Sequence, residues 1–299
     1  MAASGAVSGR PARAAGQGEA VLALLADEWR SIAELGSELR PEEWDFPSEC
    51  PGWNVRDLVS HMVGTERSLL GDPAPSDPGP AAHVRNPVGA SNEAWVAARR
   101  SVPGPDVLDE FRAVTGRRLE QLLAMGEAQW SEPGPSPIGI VPYREFMQVR
   151  VMDCWVHEQD MRVATGRPGH REGAVAELAL SRIASAMGFV VAKKAGAPEG
   201  AAVRFLLVGS PRRSLDVVVH EGRGRVGELG PLVLVHNEEE GADESAALPT
   251  VALEMETELF WRLGCGRVSG DAALGADLVA VRGDVELGRS VVRHMAFMI

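Results

Sequence analysis

Residues 152–162, MDCWVHEQDMR, carry Asp153, His157 and Asp160 at intervals of four and three inside a run that otherwise reads as helix. Side chains four apart on an α-helix emerge on one face a turn apart, which is the spacing that lets Asp153 and His157 grip one ion. Spacing alone does not decide it, because such pairs are more often solvent-exposed or hydrogen-bonded than metal-bound. A convergent ligand from elsewhere in the chain is needed. The helix itself is predicted over 143–165, ended by the Gly and Pro of GRPG at 166–169.

Working outward, apolar residues recur at helical spacing from Glu19 to Leu39 (Val21, Leu24, Leu25, Trp29, Ile32, Leu35), and Pro41 stops the pattern. The CPGW turn at 50–53 leads to Asn54 as N-cap, with Asp57 three residues on, and predicts a helix from Val55 to Leu70. Residues 72–90, rich in Pro, Gly and Ala, read as a loop bordering a site. Residues 91–100 and 105–128 together read as a third helix, and 131–142 as a connection. Tyr143–Thr165 is then the fourth helix of an antiparallel bundle, and 173–195 is one more helix.

Beyond Gly200 the period changes. AVRFLLVG, SLDVVVHEG and PLVLVHN are short β-branched runs bounded by Gly, Pro and Ser, and read as strands. A strand leading into a helix follows at TVALEMETELFWRLGCGR, then a strand at DLVAVRGD and an amphipathic helix at VELGRSVVRHMAFMI. The fold class is therefore α+β: a disordered tail over 1–16, a helical bundle over 17–198 and a smaller α+β domain over 199–299. The acidic run EEEGADE at 238–244 reads as a solvated loop.

The chain has 299 residues and a net charge of −12, which repels phosphate backbones, so nucleic acid is not expected as a partner. No apolar run long enough to cross a bilayer is expected either. Cys50, Cys154 and Cys265 are odd in number and outside any CxxC pattern, so neither a disulfide framework nor a thiolate zinc knuckle is indicated, and a reducing cytoplasmic setting fits. Structural roles are expected for all three. Trp53 and Trp155 are read as core aromatics, with a pocket wall as the alternative.

His61 lies in the middle of the second predicted helix, between apolar neighbours, and that helix can face the fourth one in a bundle. If it converges with Asp153 and His157, two imidazoles and a carboxylate make a site with an open coordination position, as in catalytic zinc centres and non-heme iron sites. Such an ion lowers the pKa of bound water or thiol. Glu158 and Asp160 are then candidates to accept the distal N–H of a histidine or to act as a base, with a hydrated helix face as the ordinary reading, which is favoured for Glu158.

CPGWNVRDLVSHMVGTE, RVMDCWVHEQDMRVATGRPG, FWRLGCGR and MAFMI, in this order, resemble the actinobacterial mycothiol-dependent maleylpyruvate isomerase family. The resemblance spans nearly the whole chain after the tail. It implies a DinB-like four-helix bundle followed by a small α+β domain, and a divalent metal, zinc, held by His61, Asp153 and His157. The family's isomerase carries Glu where this chain has Asp153, a carboxylate shorter by one methylene. The resemblance also implies mycothiol as cofactor: its thiolate adds to the cis double bond of maleylpyruvate, the new single bond rotates, and the thiol leaves to give the trans product. Arg262, Arg267 and Arg282 are candidates to bind substrate carboxylates through forked hydrogen bonds, and Asp160 to assist catalysis. Isomerisation or thiol transfer on a small electrophile, by a monomer or homodimer, is the leading expectation. The alternatives are a small-ligand-binding protein with a structural metal and a metal-dependent hydrolase that activates water.

Overall fold

A computed structural model describes residues 17–231 and 249–298. The expected tail at 1–16, most of the expected strand PLVLVHN and the acidic run at 238–244 lie outside the described residues.

Helix α1 spans Gln17–Ser37 and is followed by a 3-10 turn at Pro41–Asp45. Helix α2 (Val55–Leu69) starts where the sequence places it: the Asn54 side chain accepts the Asp57 N–H, and Asp57 caps the Asn54 N–H in return. Two expectations fail next. The segment read as loop to Ala90 becomes helical at α3 (Pro87–Ala97), because Asn86 accepts the Gly89 N–H and Pro87 supplies a helical φ in the first turn. The single third helix is in fact α3 plus a separate α4 (Gly104–Leu123), broken by the turn around Pro103.

After the short α5 (Glu127–Ser131), the connection at 131–142 contains a two-stranded antiparallel hairpin, β1 (Pro133–Ser136) and β2 (Gly139–Pro142). The chain before residue 200 is therefore not all helix; Gly139, at φ 108, makes the tight turn that a proline-rich string conceals. Helix α6 (Tyr143–Thr165) matches its prediction, with Gly166 in the left-handed conformation past its end. Helices α1, α2, α4 and α6 form the bundle: α1 and α2 each pack on both α4 and α6, while α3 leans on α2.

Helix α7 (Ala174–Phe189) runs into a π-helical turn at Val190–Lys194. It packs on α6 on one side and on the sheet on the other. The stretch 174–194 is long and apolar enough to cross a membrane, against the expectation from sequence, but more than half of that window is buried inside the fold. At its closest approach to the sheet, a Cβ on Gly188 would lie 2.4 Å from the Gly224 carbonyl oxygen, so helix and strand meet through two glycines.

The sheet consists of β3 (Ala202–Val208), β4 (Arg213–His220), β5 (Arg223–Val226), the short β6 (Gly230–Pro231), β7 (Val251–Glu256) and β8 (Ala280–Gly283). Its order is β5-β4-β3-β7-β8, with β6 beside β4. Only β3 and β7 run parallel; Phe205 registers with Leu253 there and with Leu215 across the antiparallel β3–β4 pair. Between these strands lie α8 (Thr257–Gly264) and α9 (Gly270–Gly275), and α10 (Val285–Arg293) closes the described chain. Alternation of buried and exposed positions along β3, β4 and β7 gives the sheet one core face. The hydrophobic core is continuous from bundle to sheet. Trp155 of α6 meets Trp261 of α8 edge to face, ring centroids 5.8 Å apart, both fully buried, which confirms the core reading of Trp155.

Candidate metal centre

Helices α2 and α6 bring His61, Asp153 and His157 together. His61 Nε2 lies 3.3 Å from Asp153 Oδ2, His157 Nε2 lies 3.7 Å from Asp153 Oδ1, and the two imidazole centroids are 4.9 Å apart. Ligands about 2.0–2.1 Å from a tetrahedral zinc are separated by about 3.3–3.4 Å, so this donor set is spaced for such an ion with modest adjustment. Both imidazoles are buried, whereas the Asp153 side chain retains 19% exposure, toward a cavity of about 400 Å³. Burial holds the His61 pKa below its ordinary value, outweighing Asp153, which keeps this imidazole neutral and able to ligate.

The carboxylate has its own support. Burial alone would raise the Asp153 pKa, but the Arg150 guanidinium and the two imidazoles outweigh it and hold it well below the usual carboxylate range. Arg150 reaches Asp153 Oδ2 with one terminal nitrogen and Glu66 Oε1 with the other, at 2.8 Å. Glu66 also takes the Arg118 Nε–H at 3.0 Å, and Arg118 donates to the Tyr143 hydroxyl at 2.7 Å. Glu66, Arg118 and Arg150 are all buried, so this paired cluster fixes Arg150, and through it Asp153, from inside the bundle. Asp153 Oδ1 is left facing His157.

Asp160 is fully buried rather than part of a hydrated face. Its Oδ2 lies 3.2 Å from His157 Nδ1, and Arg267 forks onto it, Nε to Oδ1 at 3.0 Å and Nη2 to Oδ2 at 2.7 Å. With Nδ1–H donated to Asp160, His157 Nε2 presents its lone pair beside Asp153. Glu158 corrects the sequence reading outright: it is fully buried, held by Ser31, Arg162 and His170. A charged residue on the inner face of a packed helix cannot be told from one on the outer face by spacing alone.

Of the three arginines read from sequence, only Arg267 lines the cavity, and its fork is occupied by Asp160. Arg262 pairs with Glu49 and Glu258, and Arg282 with Glu254 on the exposed face of β8. The structure therefore does not bring these three together. The cavity is instead walled by Trp53, whose ring lies 5.2 Å from that of His61, by His83, Arg85, Asn86 and Asn92 on and after the 71–86 loop, and by Cys265–Arg267 with Ala296 and Met298. Glu93, buried, accepts the Trp53 indole N–H at 3.0 Å and lies 2.9 Å from His83 Nε2, tying wall to loop. Trp53 thus lines the cavity instead of filling the core. Arg85 is exposed and has no ion-pair or hydrogen-bond partner among the described residues. The reading of 72–90 as a segment bordering a site points to this wall, although its last residues are helical. Cys50 and Cys265 also line the cavity, but burial pushes their thiols up to about 11 and about 12, and burial raises that of Cys154 as well, so all three stay protonated at neutral pH.

A helical bundle with an appended six-stranded sheet, and a His–carboxylate–His set opening on a cavity, defines an α+β fold with a candidate metal centre. Residues 25–162, a little under half of the chain, match the model of the mycothiol maleylpyruvate isomerase N-terminal domain. The crystal structure of the mycothiol-dependent maleylpyruvate isomerase aligns with a TM-score of 0.54 at 17% identity, over 90% of this chain and 94% of that one. A histidine-to-alanine variant of that enzyme aligns with a TM-score of 0.53. At this identity the likeness is one of fold. Two uncharacterized proteins of Mycobacterium tuberculosis are each 26% identical, one over 148 residues (48% of this chain, 55% of the relative), the other over 160 (54% and 74%). The chain thus spans about half the length of the first of these relatives.

Proposed function

We propose that the chain is a divalent-metal-dependent enzyme that uses mycothiol, in the cytoplasm, on a small electrophile, by isomerisation or thiol transfer. The observation that carries this reading is the convergence of His61, Asp153 and His157 at one wall of a cavity large enough for a small molecule. In this reading the bundle, residues 17–198, supplies the ligands, and the α+β domain, 199–299, shapes the pocket.

Bound there, a zinc ion would supply Lewis acidity, lowering the pKa of a thiol or water at its open position. The chain's own residues do the rest. Asp160 holds His157 in the tautomer that leaves Nε2 free, and Arg267 keeps Asp160 ionised. Arg150 keeps Asp153 ionised. Trp53 excludes water from one side of the donors. Burial raises the Cys50 and Cys265 thiols to about 11 and about 12, which is consistent with a thiol supplied by a cofactor and not by the chain. Arg85, on the cavity wall and without a partner among the described residues, is placed to receive an anionic group of the incoming molecule.

Metal content measured by mass spectrometry on native protein and on His61→Ala and His157→Ala variants tests the site, together with consumption of maleylpyruvate with and without mycothiol. About one zinc per chain, lost in both variants, with turnover only in the presence of the thiol, is the expected result. Turnover without thiol would replace this reading with the hydrolase, and no metal after reconstitution would replace it with the binding protein.

A further inference from the structure

His157 and Glu158 are adjacent on α6 and point about 100° apart around the helix, so the same helix serves a second cluster. Glu28 of α1 is fully buried, and neither of its carboxylate oxygens accepts a hydrogen bond. It faces Glu158 and His170. His170 Nδ1 lies 2.6 Å from Glu158 Oε2 and 3.4 Å from Glu28 Oε2. Glu158 Oε1 is already satisfied by the Ser31 hydroxyl at 2.6 Å and by Arg162 Nε at 2.9 Å. The lone pairs without a donor of their own are thus those of Glu28, with Glu158 Oε2 and His170 Nδ1 beside them, and one donor atom from each residue lies within 4.8 Å of the others.

The backbone is arranged to bring the imidazole there. His170 has φ 53, a left-handed conformation that a non-glycine residue adopts at a cost. The Trp155 indole N–H holds its carbonyl at 2.8 Å, and Gln159 Nε2 holds that of Gly169 at 3.2 Å. Three elements, α1, α6 and the loop after α6, thus converge on a point lined by two carboxylates and one imidazole. Counting charge, two carboxylates and Arg162 leave −1 before His170 is included. A buried carboxylate with no donor on either oxygen is costly unless a cation or proton compensates it.

We propose that Glu28, Glu158 and His170 form a second divalent-cation site, distinct from the one facing the cavity. Two carboxylates and an imidazole suit zinc, manganese(II) or iron(II). The His170 side chain is 22% exposed, which gives the ion a route in and leaves room for a water ligand. The site sits where α1 meets α6, so a bound ion ties these helices to the loop at 166–173.

The test uses cobalt(II) on the full-length, metal-stripped chain, read by equilibrium dialysis with mass spectrometry and by visible absorption. The wild type is expected to bind about two ions, and the His61→Ala/His157→Ala variant about one, with its own spectrum. Adding Glu28→Gln to that variant should abolish the remaining ion, and His170→Gln, outside the packed helices, should do the same if Glu28→Gln impairs folding. A double variant that binds no cobalt overturns the proposal, as does a count unchanged by both Glu28→Gln and His170→Gln; a protonated His170 or a proton shared by the two glutamates then fills the cluster. Wild-type protein that binds one ion, lost with His170→Gln but kept in the double variant, supports this site and removes the metal from the function proposed above.

Discussion

Arg267 grips Asp160 through both arms of its guanidinium, at 3.0 and 2.7 Å, across 107 positions of sequence. The pair joins the segment after α8 to the buried face of α6, and Asp160 passes the constraint to His157. An arginine that reads from sequence as a substrate clamp is occupied in orienting, through Asp160, a candidate metal ligand.

Arg267→Met should therefore loosen the metal site without touching a ligand. We expect zinc binding weaker by up to roughly 10-fold, the lower end of the range typical when the outer partner of a ligating histidine is removed, because Arg267 acts through that partner, Asp160. Competition with a chromophoric chelator measures it. Affinity equal to wild type would show that Asp160 holds His157 without help from Arg267.

Arg85→Ala should have the opposite profile. With metal content unchanged, the affinity for an anionic electrophile should fall roughly tenfold, the loss of one charge-assisted contact. An uncharged analogue should be unaffected. Titration of both compounds into wild type and variant separates a specific contact from a general change in the pocket.

The Trp155–Trp261 contact makes a stability prediction. Trp155→Ala removes a fully buried indole from the seam between bundle and sheet and should cost about 3–5 kcal/mol. Urea unfolding would register the change as a lower midpoint. A Trp261→Ala variant should lose a similar amount, and the double variant less than the sum, since the two rings share one contact.

Glu43 gives a pH prediction. Hydrogen bonds from Arg167, at 2.8 and 2.9 Å, and from the Arg40 backbone N–H lower its pKa from 4.5 to about 2. Because the folded value lies below the unfolded one, the stabilisation is fully present above about pH 4.5 and is lost as pH falls toward 2. The difference in Tm between wild type and Glu43→Gln should thus be widest near neutrality and close below pH 3. A gap independent of pH would mean that Glu43 acts through shape and not charge.

The sequence was most legible where one local signal suffices. The capping pair Asn54/Asp57 and the Gly166 stop placed α2 and α6 to within a residue, and the β-branched runs at 202–208 and 251–256 placed the two central strands. The helical spacing of Asp153 and His157, with His61 opposite, foreshadowed the donor set. What escaped depends on tertiary placement. The hairpin at 133–142 consists of residues that also make loops, and the turn at Pro103 separates two helical pieces that the spacing reads as one helix. Whether Glu158 faces water or core depends on α1, whose Ser31 and Glu28 cannot be paired with it from spacing. The cavity wall at 83–92 is formed by the end of an irregular loop and the first turns of α3, whose start within a proline-rich run carries no periodicity to read.

The donors come from α2 and α6, while the opposite rim is contributed by residues 265–267 and 296–298. In the function proposed above, reactivity and selectivity are thus assigned to separate stretches of one polypeptide. A lineage can exchange the later stretch, or let it drift, and acquire a new molecular diet while the older chemistry stays in place. Conversely, removing the last few residues would take Ala296 and Met298 out of the wall and widen the chamber on that side while the donors stay seated in the bundle.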